Sequence, residues 1–303
     1  MYHPSKSDLL PKIERLKYAV DNAILVDNTE EGTGWLTEKL FKSSNITCFQ
    51  PRQNLGVAVA QNMGIKYVYE RFSDEDKVIF FDQDSFVPID LPLLLARAHD
   101  KLNITRQVAA VEPNFIDQSK GFTYPQVAWS KLGVFKRFMP NVKHNEQKAA
   151  MLISSGMLTD VKTLKQVGEY DESLFIDYVD TDWCLKAQVK GFELYVMPNI
   201  KMIHSIGVKS LKLLGHNLTV HPPLRRYYMM RNSLFMAKKE YVDSALATMF
   251  MFRTVLHHLL LILCDNHKGL NAKAFIKGLL DGSSNKIENN QLLSKRFKIK
   301  QKL

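Results

Sequence analysis

The sequence predicts an α/β fold built on a mostly parallel mixed sheet, and three observations carry that expectation. Short apolar runs that end in polar or acidic residues, AILVDN (23–28), NITCFQP (45–51) and KVIFFDQDS (77–85), have the length and ending of buried strands. Between them stand segments with the apolar spacing of helices packed on a sheet: GWLTEKLFKSS (34–44), NLGVAVAQNMGIKYVYERF (54–72) and IDLPLLLARAHDKL (89–102). At 303 residues and 46% apolar content, the chain is long enough for one large domain with an appendage.

In sheets of this kind ligands bind beyond the carboxyl ends of the strands. Asp27, Asp82 and Asp84 all fall at such ends. From 103 to 150 the pattern loosens into short strands (QVAAVEP, 107–113) and a polar, aromatic stretch (GFTYPQVAWS, 121–130), as expected of loops that shape a pocket. MLISSGMLT (151–159) reads as strand-like and leads into a helix at VKTLKQVG (161–168). The segment 169–198 places four Asp within 171–182, then a helix, a stop at Gly191 and a strand. After Pro223, residues 225–264 read as one or two long helices.

The net charge of +10 is unevenly distributed. Residues 1–223 carry 26 basic and 26 acidic side chains, whereas 224–303 carry 15 and 5. A neutral body with a basic tail points to an anionic surface as partner. No aromatic stacking platform accompanies the charge, so nucleic acid is not expected. Arg253, His257 and His258 interrupt the apolar run, which favours a helix lying in a membrane interface over one that crosses; the competing reading is a helix packed on its own domain. Cys48, Cys184 and Cys264 show no metal-ligand spacing and are expected to be reduced thiols. The start, MYHPSKSDLL, does not read as a signal peptide, so a cytoplasmic protein is expected.

Two carboxylates on alternate residues at a strand end repel one another, which is tolerable where a divalent cation joins them. A strand followed by DxD also opens the sites of haloacid-dehalogenase-like phosphatases, but Phe86 stands where those carry Thr or Val. VDN (26–28), NLGVAVAQNMGI (54–65), FFDQDS (80–85), SSG (154–156), GEYDESLFIDYVDTDWCLKAQVKGF (168–192), IHSIG (203–207) and RRYYMMRN (225–232) occur in that order. Together they resemble family 2 glycosyltransferases, specifically the bacterial rhamnosyltransferase branch, over roughly residues 2–240.

The resemblance implies a GT-A type fold, a nucleotide-sugar donor expected to be dTDP-L-rhamnose, and inverting transfer to a hydroxyl. It divides the chain into a catalytic domain at 1–223, with a nucleotide-binding half (1–102) and an acceptor half (103–223), and a basic helical region at 224–303. It implies Mg²⁺ or Mn²⁺ held by Asp82, Asp84 and His204, with Asp82 also a candidate for the ribose. Asp27, Asn54, Gly56 and Asn62 are implied for the nucleotide, and Arg225, Tyr228 and Arg231 for the diphosphate. Ser155, Gly156 and Trp183 are implied for the acceptor, Trp183 reading equally as core. The base is expected to be Asp180, but the family's Glu-Asp pair is Val179-Asp180 here, so Asp177 and Asp182 stay open.

The acceptor implied is a polyprenyl-diphosphate-linked glycan of O-antigen or capsule synthesis at the cytoplasmic face of the inner membrane. Another dTDP or UDP sugar is the near alternative. The family's first strand is missing before MYHPS, which leaves two readings: an upstream start, or a truncated binding remnant.

Overall fold

The computed structural model describes residues 1–36, 45–117, 122–203, 210–213, 216–264 and 267–297. The expected helix at 34–44 falls mostly outside the described residues, as does His204. The chain forms two compact units that alternate along the sequence. The first comprises Met1–Trp129, Phe135–Tyr170 and Asp180–Ser205; the second comprises Ser130–Val134, Asp171–Val179 and Ile206–Leu303.

The first unit opens with α1 (Lys6–Ala19), β1 (Ala23–Val26), β2 (Ile46–Phe49), α2 (Gly56–Arg71), β3 (Lys77–Ile79) and α3 (Leu91–Asn103). It continues with β4 (Val108–Ile116), a β5 (Gln126–Trp129) and β6 (Phe135–Phe138) hairpin, β7 (Gln147–Ala149), β8 (Leu158–Asp160) and α4 (Val161–Val167). Helix α5 (Val179–Val189) and strand β9 (Glu193–Ile203) complete it. Helix α2 buries Ala58, Asn62, Ile65 and Val68, the spacing of one helical face, beginning at Gly56, whose φ of 85° favours a residue without Cβ. Asp160 caps α4 by accepting from Thr163 N–H at 2.7 Å, and Gly191, at φ 87°, turns the chain from α5 into β9 as expected.

The main sheet has the order β3-β8-β4-β9-β7 and is mixed. Strand β8 runs antiparallel to both β3 and β4, β4 and β9 are parallel, and β7 runs antiparallel to β9. The strand-like stretch at 151–159 is a loop for most of its length; only its end enters the sheet, reversed and between β3 and β4. The mixture is as expected, but within this sheet only β4 and β9 pair in parallel, a balance that alternation cannot reveal because strand direction leaves no local mark in a sequence. Leu91 and Leu95 of α3 pack on Val108, Val111 and Leu158, and burial stabilises each such side chain by roughly 1.5–3 kcal/mol.

Strands β1 and β2 pair in parallel as a separate two-stranded sheet. Residues 1–3 hydrogen bond toward both it and the turn after β3. The Met1 ammonium donates to Val26 O at 2.6 Å, Met1 O accepts from Asn28 N–H, and Tyr2 N–H donates to Gln83 Oε1 at 2.6 Å.

The second unit contains a β10 (Ser210–Leu213) and β11 (His216–Thr219) hairpin, then α6 (Pro223–Ala237), α7 (Ser244–Cys264), α8 (Lys268–Ser283) and α9 (Asn290–Phe297). Helices α6 and α8 approach so closely that a Cβ on Gly278 would stand 2.6 Å from Tyr227 O, and one on Gly282 would stand 2.6 Å from Leu234 Cδ1. Side chains join α6 to α7: the buried imidazole of His258 lies 2.9 Å from Arg226 O, and Arg226 Nη2 donates to His258 O. Burial pushes the His258 imidazole down to about 4, so it stays neutral. The opposite face of α7 leaves Phe252, Leu256, Leu259 and Leu263 exposed, a stripe at helical spacing. By length and composition Ser244–Leu263 is long and apolar enough to cross a membrane.

Candidate active site

Strand β3 ends at Ile79, and Phe80 N–H still bonds Met157 O before the chain leaves the sheet. The next residues form a turn closed by Ser85 N–H to Asp82 O, with Asp82 and Asp84 both exposed. Their oxygens are hard donors, suited to Mg²⁺ or Mn²⁺ rather than to a soft metal. No group of three His, Cys, Asp or Glu forms a complete metal cluster among the described residues.

Asp27, beyond β1, is buried and accepts from Thr29 N–H at 3.2 Å, Thr33 N–H at 2.8 Å and Gln50 Nε2 at 3.2 Å. Burial pushes its carboxyl up, but the hydrogen bonds from Thr29 and Thr33 outweigh it and hold the group below the usual carboxylate range. Asn54 Oδ1 accepts from Gly56 N–H, and Asn28 Nδ2 donates to Gly56 O at 2.9 Å, so the entry to α2 is fixed by amide side chains. Asn62 faces elsewhere. Its amide accepts from Tyr170 N–H at 2.9 Å and donates to Tyr170 O at 3.0 Å, holding the start of the acidic segment.

Loop 150–157 is tied down on three sides. Gly156 N–H donates to Phe80 O at 2.6 Å, Ser155 Oγ meets Ser85 Oγ at 2.5 Å, and Leu152 N–H meets Cys184 Sγ at 3.4 Å. Gly156 has φ 86°, and a Cβ there would stand 3.1 Å from Pro113. Ser155 is buried, as is Trp183, whose indole N–H donates to Gly168 O at 3.0 Å, so Trp183 occupies the core.

The acidic segment divides between the units at Val179. In the second unit Phe175, Asp177 and Tyr178 all have positive φ, at 62°, 64° and 64°. Each such conformation costs of order 1–3 kcal/mol and persists only where surroundings enforce it. Here α6 enforces it. Asn232 Nδ2 lies within hydrogen-bond reach of Leu174 O, Ile176 O and Asp177 O, at 2.7, 2.8 and 3.1 Å. Arg231, fully buried, donates to Ser173 O and Leu174 O and stands over the Tyr228 ring at 4.7 Å. Tyr228 stacks on Phe175 at 4.6 Å and donates to Asn290 Oδ1. Arg225 forks onto Asp177, with Nε at 3.1 Å and Nη2 at 2.9 Å.

In the first unit Asp180 heads α5, half-buried, where the helix dipole favours an anion. Asp182 is 0% exposed and pairs with Lys186 at 3.3 Å. Of the three candidate bases, then, Asp177 is engaged by Arg225 and Asp182 has no solvent access. Sequence reasoning missed Asn232, Glu112 and Tyr170. For Asn232 the available signal was an Arg-Asn pair directly after the apolar Met229 and Met230 in a helix.

No protein-family model matches the chain. It is 34% identical over 281 residues to the dTDP-rhamnosyl transferase RfbF of Shigella flexneri, a match that covers 93% of this chain and 92% of that protein. A crystal structure of GalNAc-T7 with UDP, GalNAc and Mn²⁺ superposes with a TM-score of 0.54 at 14% identity, covering 98% of this chain and 56% of that one. TarS of S. aureus, residues 1–349, superposes with a TM-score of 0.52 at 12% identity, covering 97% of this chain and 88% of that one. The two structures establish the GT-A fold, and the near full-length kinship with RfbF, together with the strand-end DxD turn and the acidic segment heading α5, establishes the rest: the chain belongs to the family 2 glycosyltransferases, in their bacterial rhamnosyltransferase branch.

Proposed function

We propose that this glycosyltransferase moves L-rhamnose from dTDP-L-rhamnose, with inversion, onto a hydroxyl of a polyprenyl-diphosphate-linked glycan during surface-polysaccharide synthesis. The observation that carries the donor is the kinship with a dTDP-rhamnosyl transferase along nearly the whole chain. In the reaction the acceptor oxygen forms a bond to the anomeric carbon, the bond from that carbon to the phosphate oxygen breaks, and dTDP departs. The acceptor proton must pass to a base. Asp180 is that base in our reading, supported by its position at the head of α5 and by the engagement of Asp177 with Arg225 and of Asp182 with Lys186.

Asp82 and Asp84, with His204 as the family implies, would hold Mg²⁺ or Mn²⁺, which neutralises charge on a departing diphosphate when bound. Asp27, Asn54 and Gly56 would line the nucleotide. Arg225, Arg231 and Tyr228 serve the reaction through the acidic loop they hold, and Ser155 and Gly156 through the loop that abuts the DxD turn.

The same reading puts the enzyme on the cytoplasmic face of the inner membrane. Its support is the exposed apolar stripe of α7 in a region with an excess of ten basic side chains, a combination suited to an interfacial helix on anionic lipid.

The test is turnover by purified protein of dTDP-L-rhamnose beside UDP-glucose, UDP-galactose and UDP-N-acetylglucosamine, with Mg²⁺ or Mn²⁺ and then with EDTA. Turnover of dTDP-L-rhamnose that EDTA abolishes is the expected result. Preference for a UDP sugar overturns the donor, and no turnover of any donor moves the chain to a nucleotide-sugar-binding remnant.

A further inference from the structure

Strand β4 crosses the core of the first unit, and its eight residues from Val108 to Phe115 are all buried. One of them is an acid. Glu112 is 0% exposed, its Oε2 accepts from Ile153 N–H at 2.9 Å, and its Oε1 has no hydrogen-bond partner among the described residues. An ionised carboxylate with one oxygen unsatisfied in such a place is very unfavourable, whereas a neutral acid needs only a single acceptor for its hydroxyl.

The groups that bear on Glu112 narrow the choice of acceptor. Val196, the register partner of Glu112 on β9, carries no charge. Asp180 and Cys184 of α5 interact electrostatically with Glu112, and both also interact with Tyr170. Burial keeps the Cys184 thiol and the Tyr170 hydroxyl in their neutral forms, both well above their ordinary ranges, and the Asp180 charge adds to this. Asp180 is thus the one carboxylate whose charge bears on all three of Glu112, Cys184 and Tyr170. Glu112 itself is raised well above the ordinary carboxyl range by burial, with the charge of Asp180 adding to it.

We propose that Glu112 is held as the neutral acid and acts as a positioning residue for transfer: its Oε2 anchors loop 150–157 through Ile153, while its Oε1 hydroxyl donates to the Asp180 carboxylate. One side chain thereby sets both the loop that abuts the DxD turn and the orientation of the base. The hydrogen bond fixes the plane of the Asp180 carboxylate at the head of α5. At high pH Glu112 loses its proton, the donor disappears, and two carboxylates face each other in a buried site. The positioning role rests on the assignment of Asp180 as base; the protonation state does not.

The experiment has two arms on the full chain. Infrared spectra of the wild type and of Glu112→Gln at neutral pH test the proton without any sugar substrate. A protonated-carboxyl band that disappears in Glu112→Gln and moves in Asp180→Asn is expected, and the absence of such a band overturns the proposal. The second arm is the pH profile of kcat/KM. Wild-type activity falls at alkaline pH as Glu112 ionises. Glu112→Gln, which keeps a donor and an acceptor, lacks that fall, and it restores the activity that Glu112→Ala loses by about tenfold at neutral pH. Coincident profiles for wild type and Glu112→Gln overturn the positioning role, and this comparison stands even where Glu112→Ala does not fold. If no donor is turned over, the function assigned above fails while the infrared arm still decides the state of Glu112.

Discussion

Two acidic loops of this enzyme are built on opposite principles. The turn at 82–85 follows its strand in an ordinary conformation and leaves two carboxylates in solvent. The loop at 171–179 contains three non-glycine residues in left-handed conformations, a backbone that Arg231 and Asn232 hold by its carbonyls. The first loop has donors to offer and gains its organisation from what it binds. The second is organised in advance, and the chain leaves it directly into the helix that Asp180 heads. Strain enforced by a buried side chain before any ligand arrives is what a fixed catalytic geometry needs.

Mutations on the two sides separate these principles. Asp180→Asn should lower kcat by roughly a thousandfold, within the range for loss of a general base. Asp84→Ala should cost less at saturating cation, about a hundredfold, and should shift the cation dependence. If Asp84→Ala is without effect, or if Asp180→Asn keeps its activity while Asp177→Asn loses it, the division of roles is wrong.

The next effect in size is on stability. Asn232→Ala removes hydrogen bonds to as many as three carbonyls of the strained loop, and should destabilise by about 3 kcal/mol in denaturant unfolding. The matching change in the other loop, Asp82→Ala, should leave stability within about 0.5 kcal/mol, as expected of an exposed side chain. Equal losses at the two positions would break the contrast. The smallest effect concerns location rather than rate: Leu256→Asp with Leu259→Asp should move the protein from the membrane pellet to the supernatant while turnover of a soluble acceptor persists. Retention of the double variant in the pellet would remove the exposed stripe as the basis of attachment.

Some of this was legible in the sequence. The place of Asp82 and Asp84 after a strand was legible because a strand and its acidic end are local features, and the order of motifs carried the family. The same patterns placed α2, α3, α4 and α6 close to where they stand. Other features depend on partners that linear distance conceals. Asn62 and Arg231 occur in motifs that read as ligand-binding, yet their donors meet main-chain carbonyls of Tyr170 and of residues 173–174. Nothing in the residues themselves distinguishes a polar side chain facing substrate from one facing backbone. Glu112 was hidden for the same reason, standing in an apolar run with its partner Ile153 on a distant loop. The reversed direction of β8 depends on the loop before it, and the composition of LTD carries no trace of it.

The glycine notch of α8 gives this architecture an unexpected genetic reach. Gly278 and Gly282 lie against the backbone of α6 beside Arg231, with a Cβ on Gly278 falling 3.3 Å from Arg231 N and one on Gly282 falling 3.0 Å from Arg231 O. A methyl group added at either site must displace the helix that holds the acidic loop. Inactivating alleles should therefore be recoverable in a tail helix far along the sequence from every motif residue, and a screen that scored only the motif residues would overlook them.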